Sequence, residues 1–94
     1  MATLVLTPAA RMTDSDKPYQ PIPCATYSEY ELAIMQHRHL QLAWRDAHDL
    51  EHISQLQPLD LKTENHAEYL LAQDHEGQTL KIRLDCIRQY RILP

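Results

Sequence analysis

The stretch that decides the fold is Leu40-Gln41-Leu42-Ala43-Trp44-Arg45. Large apolar side chains occupy every second position, at Leu40, Leu42 and Trp44, and small or polar residues separate them. Successive side chains of a β-strand point to opposite faces of a sheet, so this alternation is typical of a half-buried strand. The chain is therefore expected to build a sheet that buries one face.

A helix is predicted immediately before this strand. Its apolar face, at helical spacing, consists of Tyr30, Ala33, Ile34 and His37. Thr26 precedes Glu29 by three residues, and Ser28 precedes Glu31 by three, so either pair fits a capping box. Both glutamates are then expected in the first turn, where the helix dipole favours carboxylates. The helix is expected to end around residues 37–38, with basic residues in its last turn.

Further strands are predicted after Arg45, separated by polar turns. Residues 46–49 are interpreted as a turn, and residues 50–58 fit a helix or a strand equally well. Pro58 is expected to exclude the interior of a central strand, because proline cannot donate to the ladder. Residues 62–66 are interpreted as a loop, and residues 74–78, which contain Gly77, as a hairpin turn. The remaining strands are predicted at residues 59–61, 69–72, 80–84 and 88–93.

These elements predict a mainly β fold, with one N-terminal α-helix followed by about five antiparallel strands. Antiparallel strands joined by short turns must close the sheet or cover its edges. A small closed barrel is the simplest arrangement that does so.

The length and the N-terminal sequence predict one domain with a tail. Ninety-four residues leave room for a single domain. Residues 1–18 lack sustained periodicity and are predicted to be a flexible tail, and residues 19–94 form the domain. No Lys or Arg precedes the short Leu4-Val5-Leu6 run, which is unlike a signal peptide, so a cytoplasmic location is expected.

The composition excludes several classes of site. The single glycine, Gly77, excludes phosphate-binding loops and dinucleotide fingerprints, which need several glycines at fixed spacing. Two cysteines are too few for a disulfide scaffold, and no Cys-x-x-Cys or His-Glu-x-x-His motif is present. The six histidines are interpreted as surface or packing residues rather than zinc ligands. We therefore expect no metal, no cofactor and no enzymatic activity.

Charge is distributed unevenly along the chain. The formal net charge is −4, which disfavours a general nucleic-acid binder. Residues 41–76 hold eight acidic residues against Arg45 and Lys62, whereas residues 81–91 hold four basic residues against Asp85. Such segregation is common on solvated surfaces, but it also fits an acidic surface that occupies a basic groove on a partner.

One segment carries a family resemblance. Residues 19–33 read Tyr-Gln-Pro-Ile-Pro-Cys-Ala-Thr-Tyr-Ser-Glu-Tyr-Glu-Leu-Ala, which resembles the Rof-family pattern Tyr-x-Pro-Ile-x-Cys-x-x-Tyr-Asp followed by an acidic, apolar helix. Ser28 stands where that pattern has Asp, and Ala25 and Thr26 replace acidic residues. Three later pieces agree in order and spacing: Leu40-x-Leu42 with Arg45-Asp46, Asp60-Leu61 with Glu68-Tyr69-Leu70, and Arg83-Leu84-Asp85-x-Ile87.

The resemblance implies a fold and a function. Rof proteins are similar to Sm-like small barrels, and they inhibit Rho-dependent transcription termination. They bind the N-terminal RNA-binding domain of Rho and block RNA from the primary site. The implied partner is the protein Rho, approached by nucleic-acid mimicry, with no direct contact to nucleic acid or membrane and a monomeric free state. The implied partner-binding residues are Tyr19, Gln20, Tyr27, Glu29 and Glu31, with Glu64 and Asn65 as a weaker second set.

Two other functions compete with this one. The first is an Sm-like RNA-binding module that assembles into a ring. The acidic balance disfavours it, and Asp85-Cys86-Ile87 stands where Sm proteins use an Arg-Gly loop. The second is a metal-binding or enzymatic domain, which would require bound zinc after purification.

Overall fold

The structure, a computed structural model, describes residues 17–94. All but the last two residues of the predicted tail lie outside this range. The elements are α1 (Cys24–Met35), β1 (Leu40–Arg45), β2 (Glu51–Glu64), β3 (Ala67–Gln73), β4 (Thr79–Arg83) and β5 (Ile87–Ile92). A short 3₁₀ turn, Leu84–Cys86, separates the last two strands.

The five strands are antiparallel and form one sheet in the order β4-β3-β2-β1-β5. Among residues 17–94, this confirms the prediction of a mainly β fold with one helix before five strands. The sheet is not closed, because within residues 17–94 the edge strands β4 and β5 do not pair with each other. The expected closed barrel is therefore supported only loosely, as an open sheet with a helix packed on it.

Helix α1 begins earlier than predicted. It starts after Pro23, whose extended backbone (φ −60°, ψ 144°) precedes Cys24, and no side chain caps it. The capping boxes are wrong, because Thr26 already lies inside the first turn and Tyr27 N–H donates to the Pro23 carbonyl at 3.1 Å. Glu29 and Glu31 consequently lie in the second turn, not the first.

The end of α1 is a left-handed cap built without glycine. His37 adopts φ 56°, its N–H donates to Ile34 O at 3.2 Å, and Arg38 N–H donates to Ala33 O at 2.9 Å. These two bonds form a Schellman motif. The helix ends at Met35, so the expected basic residues lie beyond its last turn.

Strand β2 contradicts two expectations. It runs through Pro58, which pairs with Ala72 at a register shift between Pro58 and Asp60. A bulge is one of the few places where a strand accepts proline, since a ladder bond is lost there anyway. The predicted loop at 62–66 is also too long, because β2 continues to Glu64 and only Asn65 and His66 turn the chain, both with positive φ. This matches a tight two-residue hairpin.

The core lies between α1 and the inner face of the sheet. Tyr30 and Ala33 of the helix pack with the alternating side chains Leu40, Leu42 and Trp44 of β1, as predicted. The other buried members of this cluster are Leu56, Leu70, Ala72, Ile82 and Leu84. Within residues 17–94, no helix combines the length and apolar character needed to cross a bilayer.

Candidate functional site

The segment before α1 is tied to the sheet at two points. The Tyr19 hydroxyl donates a 2.9 Å hydrogen bond to Glu68 Oε1 on β3. The Gln20 N–H donates a 2.9 Å hydrogen bond to Asp85 Oδ2 in the 3₁₀ turn. Proline-rich backbone has few internal hydrogen bonds of its own, so these long-range contacts fix where the segment lies. They place Tyr19 and Gln20, two predicted site residues, against the same end of the sheet.

An ion pair between Arg83 and Asp85 supports this attachment. Arg83 Nε and one terminal guanidinium nitrogen each donate to Asp85 at 2.7 Å, and the two side chains are only 8% and 10% exposed. The guanidinium also lies 5.5 Å from the centre of the Tyr19 ring. Burial alone would raise the pKa of Asp85, but the hydrogen bonds from Arg83 and Gln20 outweigh it and hold that pKa below its usual range.

Tyr27 is under the influence of three negative charges. Burial raises the pKa of its phenol, and the negative charges of Glu68, Glu31 and Asp60 raise it further. Burial and the hydrogen bond to Glu68 likewise raise the pKa of Tyr19 far above its ordinary value. We name this surface the carboxylate face; it consists of Tyr19, Tyr27, Glu31, Asp60 and Glu68. Both phenols stay neutral at physiological pH, so the face offers planar rings beside negative charges.

Glu29 is engaged elsewhere. It accepts a 2.5 Å hydrogen bond from the hydroxyl of Tyr90 on β5, and this bond and burial raise the pKa of that hydroxyl. The Tyr90 ring packs edge-on against Tyr30, with ring centroids 5.1 Å apart. Glu29 therefore lies toward β5 and helps to hold α1 on the sheet, whereas Glu31 lies near Tyr27.

The second predicted set, Glu64 and Asn65, lies at the β2–β3 hairpin. Glu64 forms ion pairs with Lys81 and, at 3.2 Å, with Lys62; hydrogen bonds from these two lysines lower its pKa. Lys81 also lies 4.5 Å above the Tyr69 ring. Asn65 and Tyr19 line one shallow cavity of about 360 Å³, so the hairpin tip adjoins the carboxylate face.

The predicted residues are thus brought together only in part. Tyr19, Tyr27 and Glu31 belong to the carboxylate face, and Asn65 adjoins it. Gln20 is bound to Asp85 through its backbone N–H. Glu29 bonds to Tyr90, and Glu64 pairs with two lysines, so these two glutamates lie outside the face. Sequence reasoning missed Asp60 and Glu68 as parts of this surface, and it did not pair Arg83 with Asp85, which anchors the segment before α1. The available signal was an acidic residue between two apolar ones, at Leu59-Asp60-Leu61 and at Ala67-Glu68-Tyr69.

A separate polar cluster stabilises the β1–β2 turn. Asp46 Oδ1 accepts the N–H groups of His48 (2.8 Å) and Leu50 (3.0 Å), and Asp46 Oδ2 lies 2.7 Å from His52 Nε2. The hydrogen bond to His52 and those to the two backbone N–H groups lower the pKa of Asp46 to about 2. The His52 ring stacks on Trp44 at 5.2 Å. In the part of the chain that the structure describes, no three His, Cys, Asp or Glu residues converge as metal ligands.

Comparison with known proteins identifies the family. The family model described as "WYL domain" matches residues 25–92. "Protein rof" of Escherichia coli (strain K12) and that of Shigella flexneri are each 36% identical over 72 residues, which cover 77% of this chain and 80% of each relative.

A solved structure agrees on the fold. The chain is similar to the proteasome accessory factor B/C (PafBC) of Arthrobacter aurescens, with a TM-score of 0.67 and 23% identity over 89% of this chain. The match spans only 14% of that larger chain.

Residues 25–92 form a WYL domain, and the chain belongs to the Rof family.

Proposed function

We propose that this chain inhibits Rho-dependent transcription termination by binding the N-terminal RNA-binding domain of Rho and keeping RNA from its primary site. Membership of the Rof family supports the choice of partner. The single observation that carries the proposal is the carboxylate face, where the negative charges of Glu68, Glu31 and Asp60 act on Tyr27 and raise the pKa of its phenol.

The chemistry of this face suits a groove that binds single-stranded nucleic acid. Such grooves present basic side chains to phosphates and stacking positions to bases. The carboxylates of this face can pair with the basic side chains that normally bind phosphates. Its neutral phenol rings can occupy the stacking positions that normally hold bases. Complementary charge of this kind mainly raises the rate of association and selects the partner.

Under this proposal the protein acts by occupying the RNA-binding site of Rho, not by catalysing a reaction. The protein would act in the bacterial cytoplasm, as a monomer when free, without a cofactor. The chain would bind Rho directly and would not bind RNA. The isolated protein would therefore retain no RNA.

The test is competition for purified Rho. A labelled pyrimidine-rich RNA oligonucleotide is bound to the N-terminal domain of Rho, and this protein is titrated into the complex. We expect displacement of the RNA and an affinity that falls as salt concentration rises, because charge attraction at an exposed interface is screened.

Glu31→Lys is the informative variant, because Glu31 is exposed and lies beside Tyr27. We expect it to weaken competition strongly while leaving the thermal melt unchanged. Glu76→Lys is the matched control, since Glu76 is an exposed glutamate in the β3–β4 turn. Absence of RNA displacement, or retention of RNA by the isolated protein, would contradict the proposal and favour an RNA-binding module.

A further inference from the structure

A second surface lies on the opposite side of the sheet from α1. In β1, the side chains of Leu40, Leu42 and Trp44 face the core, so those of Gln41 and Ala43 face outward. Their partners on the neighbouring strands face outward with them: Arg91 and Gln89 on β5, and Ile53 on β2. These residues line a groove of about 670 Å³.

The charge of this groove is the reverse of the carboxylate face. Arg88 and Arg91 are its only ionisable basic side chains, and neither aspartate nor glutamate is found among the described residues that line it. Arg91 donates a 3.0 Å hydrogen bond to Gln41, which holds its guanidinium along the groove. Within the described chain, the groove itself is lined by no carboxylate, whereas Arg88, at its end, also lines a neighbouring cavity with Asp46, Asp49 and Asp85.

Arg88 is set apart from the ladder by an irregularity. The register between β1 and β5 shifts between Ala43 and Trp44, so that Ala43 pairs with Gln89 but Trp44 pairs with Ile87. Arg88 is therefore the extra residue on β5 and is exposed at the end of the groove. Bulges commonly redirect a side chain, and here the bulge presents a charge to solvent.

The groove also has an apolar floor and an open edge. Ile53 is 69% exposed beside Ala43, although it is large and apolar. Strand β5 pairs only with β1 in the described chain, so its outer side carries unpaired backbone N–H and C=O groups. A strand added at that edge would lie three strand spacings, about 14 Å, from Ile53 on β2, so a segment that covers Ile53 has to lie across the outer face of β5 and β1 instead.

From this arrangement we infer that the β1–β5 groove is a docking site for an extended acidic segment of a partner protein. Carboxylates of the segment would pair with Arg88 and Arg91, and an aliphatic side chain between them would cover Ile53. This inference does not rest on the Rho proposal, because it uses neither the carboxylate face nor α1.

Nucleic acid fits this groove less well than an acidic peptide. Single-stranded nucleic acid needs exposed aromatic rings on which bases can stack. Tyr90 is the one aromatic residue among those that line the groove, and its ring and hydroxyl are engaged with Tyr30 and Glu29. The groove thus offers positive charge without a stacking platform.

The test is a titration of the isotope-labelled protein, followed by amide chemical shifts. The probes are a short peptide of alternating glutamate and valine, its glutamine–valine counterpart and a single-stranded RNA oligonucleotide. We expect shifts of β5 and β1 amides with the acidic peptide only. Arg88→Gln and Arg91→Gln should each weaken binding about two- to fivefold, as for removal of one exposed charge pair.

Two further variants make the result interpretable. Arg38→Gln removes an exposed arginine beyond the end of α1 and should leave peptide affinity unchanged. Ile53→Asp places a negative charge in the groove at an exposed position and should weaken binding without loss of folding. Equal binding of the neutral peptide, unchanged affinity in both arginine variants, or shifts of these amides with RNA instead of the peptide would each overturn the inference.

Discussion

Tyr19 and Glu68 are 49 residues apart in the chain, yet the phenol of Tyr19 donates a 2.9 Å hydrogen bond to the carboxylate of Glu68. This bond joins the segment before α1 to β3 and fixes both an aromatic ring and a negative charge of the carboxylate face. One contact thus serves both the stability of the fold and the shape of the proposed binding surface.

Tyr19→Phe isolates the contribution of that bond. We expect the free energy of unfolding to fall by about 1.5–3 kcal/mol, since the ring stays packed while a hydrogen bond to a charged acceptor is lost. Urea denaturation provides the measurement. Tyr27→Phe is the matched control, because the structure gives its hydroxyl no partner among residues 17–94, and it should change stability little. Equal losses in both variants would contradict the assigned role of the Tyr19 hydroxyl.

Asp85→Asn tests the ion pair that holds the Gln20 backbone. We expect a loss of about 2–4 kcal/mol in the free energy of unfolding, because the buried Arg83 guanidinium loses its carboxylate partner. Chemical denaturation measures it. A double variant, Arg83→Leu with Asp85→Leu, should be less destabilised than the sum of its single variants. Additive losses would show that the two side chains do not stabilise each other.

The stability of the β1–β2 turn should depend on pH through Asp46. Its pKa is lowered from an ordinary value of 3.8 to about 2, mainly by the hydrogen bond to His52. A carboxyl whose folded pKa is depressed stabilises the fold above its ordinary pKa and loses that contribution as pH falls through the folded value. We therefore expect stability to decline between about pH 4 and pH 2.

Asp46→Asn should flatten part of this acid decline. Thermal melts across the same pH range measure the effect, and Glu76→Gln, an exposed carboxylate in another turn, serves as control. The decline should not vanish completely, because the lowered pKa of Asp85 contributes in the same direction. An identical acid profile in Asp46→Asn and wild type would contradict the prediction.

Gly77 occupies a backbone conformation that other residues resist. Its φ is +83°, and no atom lies within 4 Å of the position that a Cβ would take. The cost of Gly77→Ala is therefore conformational rather than steric, and we expect about 1 kcal/mol of lost stability. Gly77→Asn should cost less, because asparagine tolerates a left-handed backbone better than alanine does. Denaturant midpoints compare the two, and equal costs would point to contacts instead of backbone strain.

The strands were predictable because alternation of apolar residues is read directly from the sequence. Leu40, Leu42 and Trp44 are buried as the pattern indicated, and the turn at Gly77 lies where expected. The course of β2 was harder to predict from the sequence. Pro58 indicated a break, whereas the structure accommodates it in a bulge that depends on its pairing with β3.

The site was predicted less well than the fold, for a physical reason. Tyr19, Tyr27 and Glu31 stand near one another in the sequence, but Glu68 and Asp60 join them only through strand pairing and packing of α1. Glu29 looked equivalent to Glu31, yet two positions on a helix differ by about 200° in direction, and Glu29 therefore reaches Tyr90 on β5.

Strand β2 belongs to both halves of the molecule: residues 51–56 pair with β1, and residues 57–64 pair with β3. The groove and the carboxylate face thus share strand β2, through Ile53 on one side of the bulge at Pro58 and Asp60 on the other. Because one strand carries both surfaces, we expect occupation of either surface to slow amide hydrogen exchange in β2 on both sides of this bulge.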